Sequence, residues 1–252
     1  KESLIHAFTM GVENDYRMPL YNSPTNILTF EQIEENKKSY KKICKSIGIN
    51  YNDIVKTNQV HKDVIKNVEN KINEFKPDFY EKAYDQTDGL ITNKSNIALC
   101  ATNADCIVLM MYDAQKHVIA NVHSGWKGTV QKIASKTIDK MQEQYNCNPK
   151  DIICCISPSI RECHFEVDQD VKDAFLEAFP KETDSIKQAH EKWHIDTVRI
   201  NIEMLKEKGL REENIIDSKI CTVCNCSQIH SYRGSKHHNG LEMGILELKG
   251  MI

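Results

Sequence analysis

The segment Ala101–Thr129, ATNADCIVLMMYDAQKHVIANVHSGWKGT, organises the rest of the chain. Two apolar runs of strand length, Cys106–Tyr112 and His117–His123, flank a polar tetrapeptide, and this pattern predicts an antiparallel hairpin. With the turn centred on the middle of that tetrapeptide, Cys106 is expected directly opposite His123, with their Cβ atoms about 5 Å apart. A thiolate and an imidazole so placed can share a metal ion or act as a nucleophile and its base.

A helix is predicted directly after the hairpin. The segment Gly125–Thr129, GWKGT, begins it, and small residues with a cation at a helix N-terminus suit an anion such as phosphate. Apolar residues then recur at helical spacing from Val130 to Tyr145, which is the strongest helix signal in the chain.

The remaining segments alternate between strand and helix patterns. Further strands are predicted at residues 3–9, 53–57, 64–68, 88–92, 97–102, 151–156 and in the final MGILEL, and further helices at 29–48, 168–179 and 195–208. The first of these helices begins with a capping box of Thr29 and Gln32, whereas the charged segment 69–87 is expected to be a loop or short helix. We therefore predict one α+β domain over residues 1–252, with mixed sheets flanked by helices.

The composition indicates an ordinary globular protein. Hydrophobic residues make up 40% and charged residues 27% of the chain, and the net charge of −3 predicts neither nucleic acid nor an anionic membrane as a partner. No apolar run approaches the roughly 20 residues of a membrane span, and the start lacks a signal-peptide core. A cytoplasmic location is expected. The ten cysteines, of which Cys100, Cys154 and Cys155 lie in apolar runs, are expected to be mostly buried free thiols.

A third ligand would turn Cys106 and His123 into a metal site. Among the histidines, His61 stands out because it follows a strand in the polar turn QVHKD, where an imidazole has no core to fill. One thiolate and two imidazoles would leave a tetrahedral zinc ion with an open fourth position, as in catalytic sites. A packed cysteine beside a hydrogen-bonded histidine is equally compatible with the spacing. The competing third ligands are His6, His117, His164, His190, His194, His230, His237 and His238.

A second cysteine motif lies near the C-terminus. Cys221, Cys224 and Cys226 form a CxxC with one extra cysteine, and a structural zinc site there would need a second ligand pair, from His230 or from residues 237–238. Without a second CxxC the signal is weak, and ordinary thiols are favoured.

Two other metal patterns receive little weight. His164-Phe165-Glu166 followed by the CxxC resembles in outline the zinc signature of nucleobase deaminases, but its proline is missing. A multicopper site needs several histidines clustered in H-x-H pairs, and the chain has none.

Four further residues are candidates for the site. Asp105 and Asp88 are polar residues at strand edges, and each is either an acid/base or orienting group or a solvated turn carboxylate. Trp126 is either a stacking platform for a base or a cover for the helix start, with packing favoured. Arg233 is either an anion ligand or an ordinary surface arginine.

Several motifs together resemble the YfiH or laccase-domain family. They are NQVH (58–61), ADC (104–106), ISPSIRECHFEV (156–167), HSGWKG (123–128) and CTVC…SYRG (221–234). The family equivalents are QVH, ADC, IGPSI…CYEV, HAGWRG and CT-C…SYRR, and the likeness runs from about residue 59 to the C-terminus.

The resemblance implies a function. Members of the family are described as purine nucleoside phosphorylases that also accept methylthioadenosine and deaminate adenosine, with a zinc site whose counterparts here are His61, Cys106 and His123. It therefore implies a zinc cofactor, with a single copper as a possible substitute. It implies a nucleoside and phosphate as small-molecule partners, and neither a nucleic acid nor a membrane. The protein is expected to be a monomer or a homodimer. Phosphate would lie near Lys127 and Arg233, the base near Trp126, and Asp105 would assist catalysis with Cys106 and His123.

The chain departs from the family pattern at its cations. Gly234 and Leu241 stand where the family has arginines, Lys127 replaces an arginine, and Met10-Gly11-Val12 replaces an N-terminal TR-GG-S pattern. Two alternatives to the nucleoside enzyme follow: a catalytically silent zinc-containing binding protein, and a metal-free Cys/His hydrolase acting on peptidoglycan precursors.

Overall fold

The computed structural model describes residues 4–17, 28–69, 86–236 and 239–250, and these form a mixed α+β fold. The helices are α1 (Phe30–Ile47), α2 (Trp126–Val130), α3 (Ile133–Tyr145), α4 (Gln169–Ala178) and α5 (Thr197–Glu207). The strands are β1 (Leu4–Phe8), β2 (Ile54–Lys56), β3 (Ile65–Asn67), β4 (Gly89–Thr92), β5 (Ala98–Asn103), β6 (Ile107–Asp113), β7 (Val118–Ser124), β8 (Ile152–Ile156), β9 (Glu166–Val167), β10 (Ile186–Ala189), β11 (Lys192–Ile195), β12 (Ile215–Asp217) and β13 (Glu242–Leu248).

The strands form three sheets with both parallel and antiparallel pairs. One has four strands in the order β1-β13-β5-β2, the largest has six in the order β12-β8-β6-β7-β4-β3, and a small one has the order β10-β11-β9. The pairs β2–β5, β3–β4 and β8–β12 are parallel, and the remaining pairs are antiparallel. The predicted mixed sheets are confirmed.

Three apolar clusters hold the layers together. Leu99 and Leu246 of the four-stranded sheet pack with Val108 and Ile119 of the six-stranded sheet, so these two sheets form a sandwich. Because side chains alternate along a strand, the other face of β6 and β7 packs against α3, α4 and α5. The outer face of the four-stranded sheet packs against α1. The order of layers is helix, sheet, sheet, helices.

The central hairpin forms, but in a different register from the predicted one. Strands β6 and β7 pair with Asp113 opposite Val118 and with Val108 opposite His123. The prediction that Cys106 lies directly opposite His123 is therefore wrong. Cys106 lies just before β6 and is diagonal to His123 on the same face, which is still within reach of long side chains.

The register differs because the turn holds four residues, 114–117. The carboxylate of Asp113 accepts the backbone N–H groups of Gln115 and Lys116, at 2.8 and 3.0 Å. His117 closes the turn with a positive φ of 51°. Asp113 caps the turn while it remains the last residue of β6, and His117 belongs to the turn, so that each strand starts one residue later than predicted.

The predicted helices form, with one interruption. In α1 the capping box of Thr29 and Gln32 is present, and Gly48 ends the helix in the left-handed conformation with φ 74°. The helix predicted after the hairpin is two helices, because Lys132 adopts a left-handed φ of 63° between α2 and α3. Helices α4 and α5 match their predicted segments to within two residues.

One segment forms a hairpin that was not predicted, and another lies almost wholly outside the described residues. The hairpin of β10 and β11 was not predicted, since the polar segment around residues 183–188 gave no strand alternation. The predicted loop or short helix at 69–87 lies almost wholly outside the described residues. All ten cysteines are free thiols, as expected, but only five of the ten are buried. Cys100 and Cys154 are among the buried ones, whereas Cys155 is half-buried. No helix of the described part is long and apolar enough to cross a membrane.

Candidate metal centre

Three predicted ligands meet at one end of the sandwich. His61 lies in the loop that connects β2 of the four-stranded sheet to β3 of the six-stranded sheet. Cys106 lies where the chain crosses again between the sheets, from β5 to β6, and His123 is the penultimate residue of β7. The site is therefore built where the chain passes from one sheet to the other, and the fold fixes all three backbones.

The donor atoms are close enough to hold one ion. One donor from each of His61, Cys106 and His123 lies within 4.8 Å of the other two. The Cys106 Sγ is 3.9 Å from the His61 Nε2, and the two imidazole rings meet edge to face with centroids 4.8 Å apart. His61 is exposed, Cys106 is half-buried and His123 is buried, so the group opens to solvent on the His61 side.

Asp88 orients two of the three ligands. Its carboxylate contacts the Nδ1 of His123 at 2.9 Å, which turns the Nε2 of that ring towards Cys106. It also accepts the backbone N–H groups of Val60, His61 and Lys62 at 2.9 to 3.2 Å. One buried carboxylate thus fixes the ring of one ligand and the backbone of another, as the outer-shell partners of zinc histidines do.

The loop that carries His61 is held in a strained shape. His61 has a positive φ of 58°, which is uncommon for a residue with a side chain. Gln59, two residues earlier, fastens the loop to the end of β5: its amide donates to the Thr102 carbonyl at 2.7 Å and accepts from the Thr102 N–H at 2.8 Å. The contacts of Gln59 and Asp88 stabilise the strained residue.

Gly125 leaves the space that the ligands fill. A Cβ at this position would lie 2.7 Å from the Cδ2 of His61, 3.2 Å from the Sγ of Cys106 and 3.4 Å from the Cε1 of His123. Its φ of −71° and ψ of 172° are accessible to any residue, so the glycine is required by space and not by backbone conformation. In the sequence, Gly125 is recognisable only as part of the helix start.

Electrostatics favour an ionic pair in the site. Burial alone would raise the pKa of the Cys106 thiol, but the imidazoles of His123 and His61 lower it to about 6. Burial would lower the pKa of His123, but the Cys106 thiolate and Asp88 raise it to about 9. Burial also opposes ionisation of Asp88, yet its hydrogen bonds to His123 and to backbone N–H groups lower its pKa. A ready thiolate is the form of cysteine that binds metals and attacks electrophiles.

The ligands line a cavity of about 570 Å³, a volume within the range of small-molecule sites. Its wall combines apolar and aromatic side chains with polar and cationic ones. The aromatic members are Trp126, Phe165 and Tyr232, and the cationic members other than histidine are Arg17, Lys56 and Arg233.

Of the two cations predicted to hold phosphate, the structure brings one to the cavity. Arg233 lines it, whereas the Nζ of the exposed Lys127 lies 5.5 Å from the ring centroid of Trp126, outside the lining. Arg17 and Lys56 line the cavity in addition to Arg233, and neither stood out in the sequence. The Nζ of Lys56 donates to the Tyr16 carbonyl at 2.7 Å.

Asp105 lines the cavity but its carboxylate has three protein donors. They are the hydroxyls of Thr222 and Ser231, each at 2.6 Å, and the backbone N–H of Arg233 at 2.7 Å. Asp105 also has a positive φ of 88°. These contacts fasten two C-terminal segments to the β5–β6 crossing beside Cys106.

Two of the departures from the family pattern, Gly234 and Leu241, have local explanations. At Gly234 a Cβ would lie 2.8 Å from the Cβ of Cys226, so the chain has no room for a side chain there. Leu241 lines the cavity, and its N–H donates to the carboxylate of Asp15, which also pairs with Arg17 at 2.6 Å. A guanidinium thus stands beside the position where the family has a second arginine.

The expected partners of the C-terminal CxxC are not the ones found. His230 was a candidate ligand, but both ring nitrogens are engaged by backbone: Nε2 lies 2.6 Å from the Asn14 carbonyl, and Nδ1 accepts the Gly240 N–H at 3.0 Å. Residues 237–238 lie outside the described residues. Cys221 and Cys224 instead meet Cys163 and His164.

Comparison with known proteins shows the family. A family model described as multi-copper polyphenol oxidoreductase laccase matches residues 28–249. The chain belongs to this laccase-like family. A crystal structure of the Bacillus licheniformis hypothetical protein YfiH shares the fold, with a TM-score of 0.86, 26% sequence identity, and coverage of 98% of this chain and 93% of the other.

Relatives in the family carry names of purine-nucleoside enzymes. The chain is 34% identical over 172 residues to purine nucleoside phosphorylase YlmD of Bacillus subtilis (strain 168), which covers 68% of this chain but 62%, less than two thirds, of YlmD. It is 28% identical over 193 residues to adenosine deaminase RL5 from an unknown prokaryotic organism, covering 76% of this chain and 73% of RL5. The comparisons therefore support a family that processes purine nucleosides.

The family description names a multi-copper enzyme, and the potential metal ligands of this chain can be compared with what a copper cluster needs. Within the described residues, the two groups of three or more potential ligands contain two histidines and one histidine, too few for a multicopper cluster. The set of His61, Cys106 and His123 fits a single ion with nitrogen and thiolate ligands, such as zinc, with one position open. The same set of two histidines and one cysteine also occurs in mononuclear copper sites.

Proposed function

We propose that this chain is a metal-dependent enzyme that cleaves purine nucleosides with phosphate and deaminates adenosine at the same site. The observation that supports it most is the three-ligand group of His61, Cys106 and His123 in the wall of a cavity with aromatic and cationic side chains. The names of the relatives support purine nucleosides as the substrate class.

The metal would be zinc, held by the Nε2 atoms of His61 and His123 and the Sγ of Cys106. When bound, it supplies Lewis acidity towards an oxygen or water in the cavity. Asp88 keeps the His123 proton on Nδ1, because its carboxylate accepts from that atom, and so leaves the Nε2 lone pair for the metal. Gly125 keeps the space between the ligands free of side-chain atoms.

The aromatic residues give the cavity an affinity for a purine. Trp126 and Tyr232 contribute aromatic side chains to the lining, and Phe165 adds a buried ring. Stacking on such rings depends on the π-face that every base has, and alanine substitution of comparable residues costs about 1–3 kcal/mol per base. Trp126 also packs against the core around α3, so it is held rigidly for this role.

The cationic residues give the cavity an affinity for phosphate. In phosphorolysis a phosphate oxygen forms a bond to C1′ of the ribose while the bond from C1′ to the purine nitrogen breaks, and the base leaves with a proton. Arg233 and Arg17 would offset the charge of the attacking phosphate. Asp105, whose oxygens already accept from Thr222, Ser231 and Arg233, acts in this proposal by positioning the loop that carries Arg233.

A product assay tests the proposal. Zinc-loaded protein is incubated with adenosine, inosine or methylthioadenosine, with and without phosphate, and the products are separated by chromatography. We expect free base only when phosphate is present, and inosine from adenosine without it. His61→Ala should reduce both products by at least about 100-fold. His6→Ala replaces an exposed histidine on the edge strand β1 and should change neither product. If zinc-loaded protein releases neither base nor inosine, the proposal is refuted.

One observation favours a second candidate, a metal-free cysteine hydrolase. Cys106 has a pKa lowered to about 6, and Asp88 supports the neighbouring His123, an arrangement that also activates a nucleophile. A hydrolase would keep its activity after chelation and lose it on thiol alkylation. A silent binding protein would bind nucleoside without turnover, with an affinity that His61→Ala leaves unchanged. Each outcome differs from the one expected above.

A further inference from the structure

A second group of metal-binding side chains lies outside the cavity. It contains the Sγ atoms of Cys163, Cys221 and Cys224 and the Nδ1 of His164, all within 4.8 Å of one another. Cys221 is buried, His164 is half-buried, and Cys163 and Cys224 are exposed, so an ion can enter from solvent. None of the four has a role in the proposed nucleoside chemistry.

Four of the five donor distances match those between the ligands of a tetrahedral zinc ion, and the fifth, between His164 and its neighbour Cys163, is shorter. With Zn–S of about 2.3 Å and Zn–N of about 2.0 Å, a regular tetrahedron has S···S edges of about 3.8 Å and S···N edges of about 3.5 Å. The Cys163 Sγ is 3.7 Å from that of Cys221 and 4.0 Å from that of Cys224. The His164 Nδ1 is 3.6 and 3.5 Å from the same two sulfurs, and 3.1 Å from the Sγ of its neighbour Cys163.

The protein holds the two halves of this group together through other contacts. The guanidinium of Arg161, two residues before Cys163, forms a bidentate pair with Asp217 at 2.9 and 2.7 Å, and its Nε donates to the Ile220 carbonyl at 3.2 Å. Next to these contacts, Ser159 and Cys221 form a parallel β-bridge. The loop after β8 and the loop after β12 are thereby placed side by side before any ion binds.

We propose that Cys163, His164, Cys221 and Cys224 bind a structural zinc ion, separate from the ion of the cavity. Three thiolates and one imidazole complete a tetrahedral shell, and a shell with four protein ligands has no position for a substrate. The site is therefore structural, although His164 and the CxxC share the outline of the deaminase signature. The Glu166 carboxylate of that outline lies 3.9 Å from the Nε2 of His194.

The four-donor geometry also distinguishes this site from a redox pair. A disulfide uses two sulfurs and gives no role to a third sulfur and an imidazole at the same separations. Cys226, the third cysteine of the motif, is not in the group, which shows that the cluster is more than a local concentration of cysteines.

The proposed ion would stabilise one wall of the cavity. Thr222, next to Cys221, donates to Asp105 beside the first metal site. Arg233 donates from Nη1 to the carbonyls of His164 at 3.4 Å and Glu166 at 3.1 Å. An ion that fixes His164 and Cys221 therefore fixes the backbone on which a cationic residue of the cavity rests.

Metal counting tests the proposal. Protein prepared with a thiol reductant is loaded with zinc, dialysed and analysed for metal by mass spectrometry. We expect two zinc ions per chain in the wild type and in the matched control Cys226→Ser, and one in Cys224→Ser. His61→Ala should also hold one, because it lacks only the cavity ion. The thermal midpoint of zinc-loaded Cys224→Ser should fall by roughly 5 °C or more, and that of Cys226→Ser should not change.

A cobalt spectrum keeps the test decisive if Cys224→Ser does not fold. Cys106→Ser removes the only thiolate of the cavity site, so thiolate-to-cobalt absorption in this variant reports the second site alone. We expect the intense visible bands of a tetrahedral, thiolate-rich ion. The proposal is overturned if these bands are absent, if the wild type holds a single zinc that Cys224→Ser retains, or if intact mass shows that zinc-loaded protein has lost two hydrogens to a Cys163–Cys221 disulfide. None of these results would bear on nucleoside turnover at the cavity.

Discussion

Replacing Gly125 with alanine adds one methyl group at the centre of the cavity metal site. The new Cβ would lie 2.7 Å from the Cδ2 of His61, where ordinary contacts between carbon atoms are about 3.5–4.0 Å. The Cβ would also press on the Cys106 Sγ at 3.2 Å and on the His123 Cε1 at 3.4 Å. His123 is held in strand β7 and Cys106 in the crossing from β5 to β6. The exposed His61 ring must therefore move, by roughly 0.8 Å or more.

The movement is large on the scale of metal coordination. Distances in a working metal site hold to about ±0.2 Å, and changes in the residues around zinc ligands typically cost 10–100-fold in affinity. We therefore expect Gly125→Ala to weaken zinc binding at the cavity site about 100-fold and to reduce nucleoside turnover in parallel. The metal-free protein should keep its thermal midpoint, because φ −71° and ψ 172° suit alanine.

The measurement is a zinc titration in competition with a chelator, on protein with the second site already saturated. Gly250→Ala is the matched control: among the described residues its Cβ would meet only the Cβ of Ser95, at an ordinary 3.8 Å, so zinc affinity should not change. Unchanged affinity in Gly125→Ala would refute the claim that these three residues share one ion. A large loss of stability in the metal-free variant would show instead that the glycine serves the fold.

Three further changes probe the surroundings of the site. Asp88→Asn should weaken zinc binding by about 10–100-fold, measured by the same titration, because the neutral amide no longer orients His123 as an anion does. Arg17→Ala should raise the KM for phosphate roughly tenfold with little change in the KM for nucleoside, because the variant loses about one charge-assisted hydrogen bond to phosphate. An unchanged KM for phosphate would remove Arg17 from the proposed phosphate site. Burial lowers the pKa of Lys56 to about 8, so the unfolded chain holds more protons above that pH and the folded state gains stability as pH rises. The free energy of unfolding of wild type relative to Lys56→Met, from urea denaturation, should therefore rise by about 1–2 kcal/mol between about pH 7.5 and about pH 9.5, and a flat difference would contradict the lowered pKa.

Local signals in the sequence were enough to place most of the elements. The capping box at Thr29 and the glycine at 48 bracket α1 because both act within one helical turn, and the strands of the core follow from uninterrupted apolar runs. The register of the central hairpin did not follow, since it depends on whether the turn occupies residues 113–116 or residues 114–117. That choice is decided by hydrogen bonds that the apolar pattern does not contain.

The ligands of the cavity site could be predicted, but their supports could not. The hairpin pattern paired Cys106 with His123, His61 was recognisable as an imidazole without a core to fill, and the resemblance to the family matched all three. The role of Gly125 depends on three side chains that converge from distant segments. The role of Arg17 depends on the carboxylate of Asp15, which also accepts a hydrogen bond from the N–H of Leu241 near the other end of the chain. Neither arrangement has a signature in local sequence.

The C-terminal CxxC shows the same limit. Its nearest histidine in sequence, His230, is hydrogen-bonded to backbone on both sides, while its spatial partners, Cys163 and His164, are almost 60 residues away in the chain. They meet because β8 and β12 pair in parallel, which brings the loops after both strands to the same edge of the sheet. A parallel pairing between short strands is not visible in the sequence.

The most direct test of the proposed function is the metal dependence of phosphorolysis. Protein stripped with a chelator is assayed for release of adenine from adenosine in the presence of phosphate, before and after zinc is restored. We predict no release from the stripped protein, recovery on addition of zinc, and no recovery in His61→Ala. Turnover that persists in the stripped protein and is abolished by alkylation of Cys106 would contradict the metal site and identify the cysteine as a nucleophile.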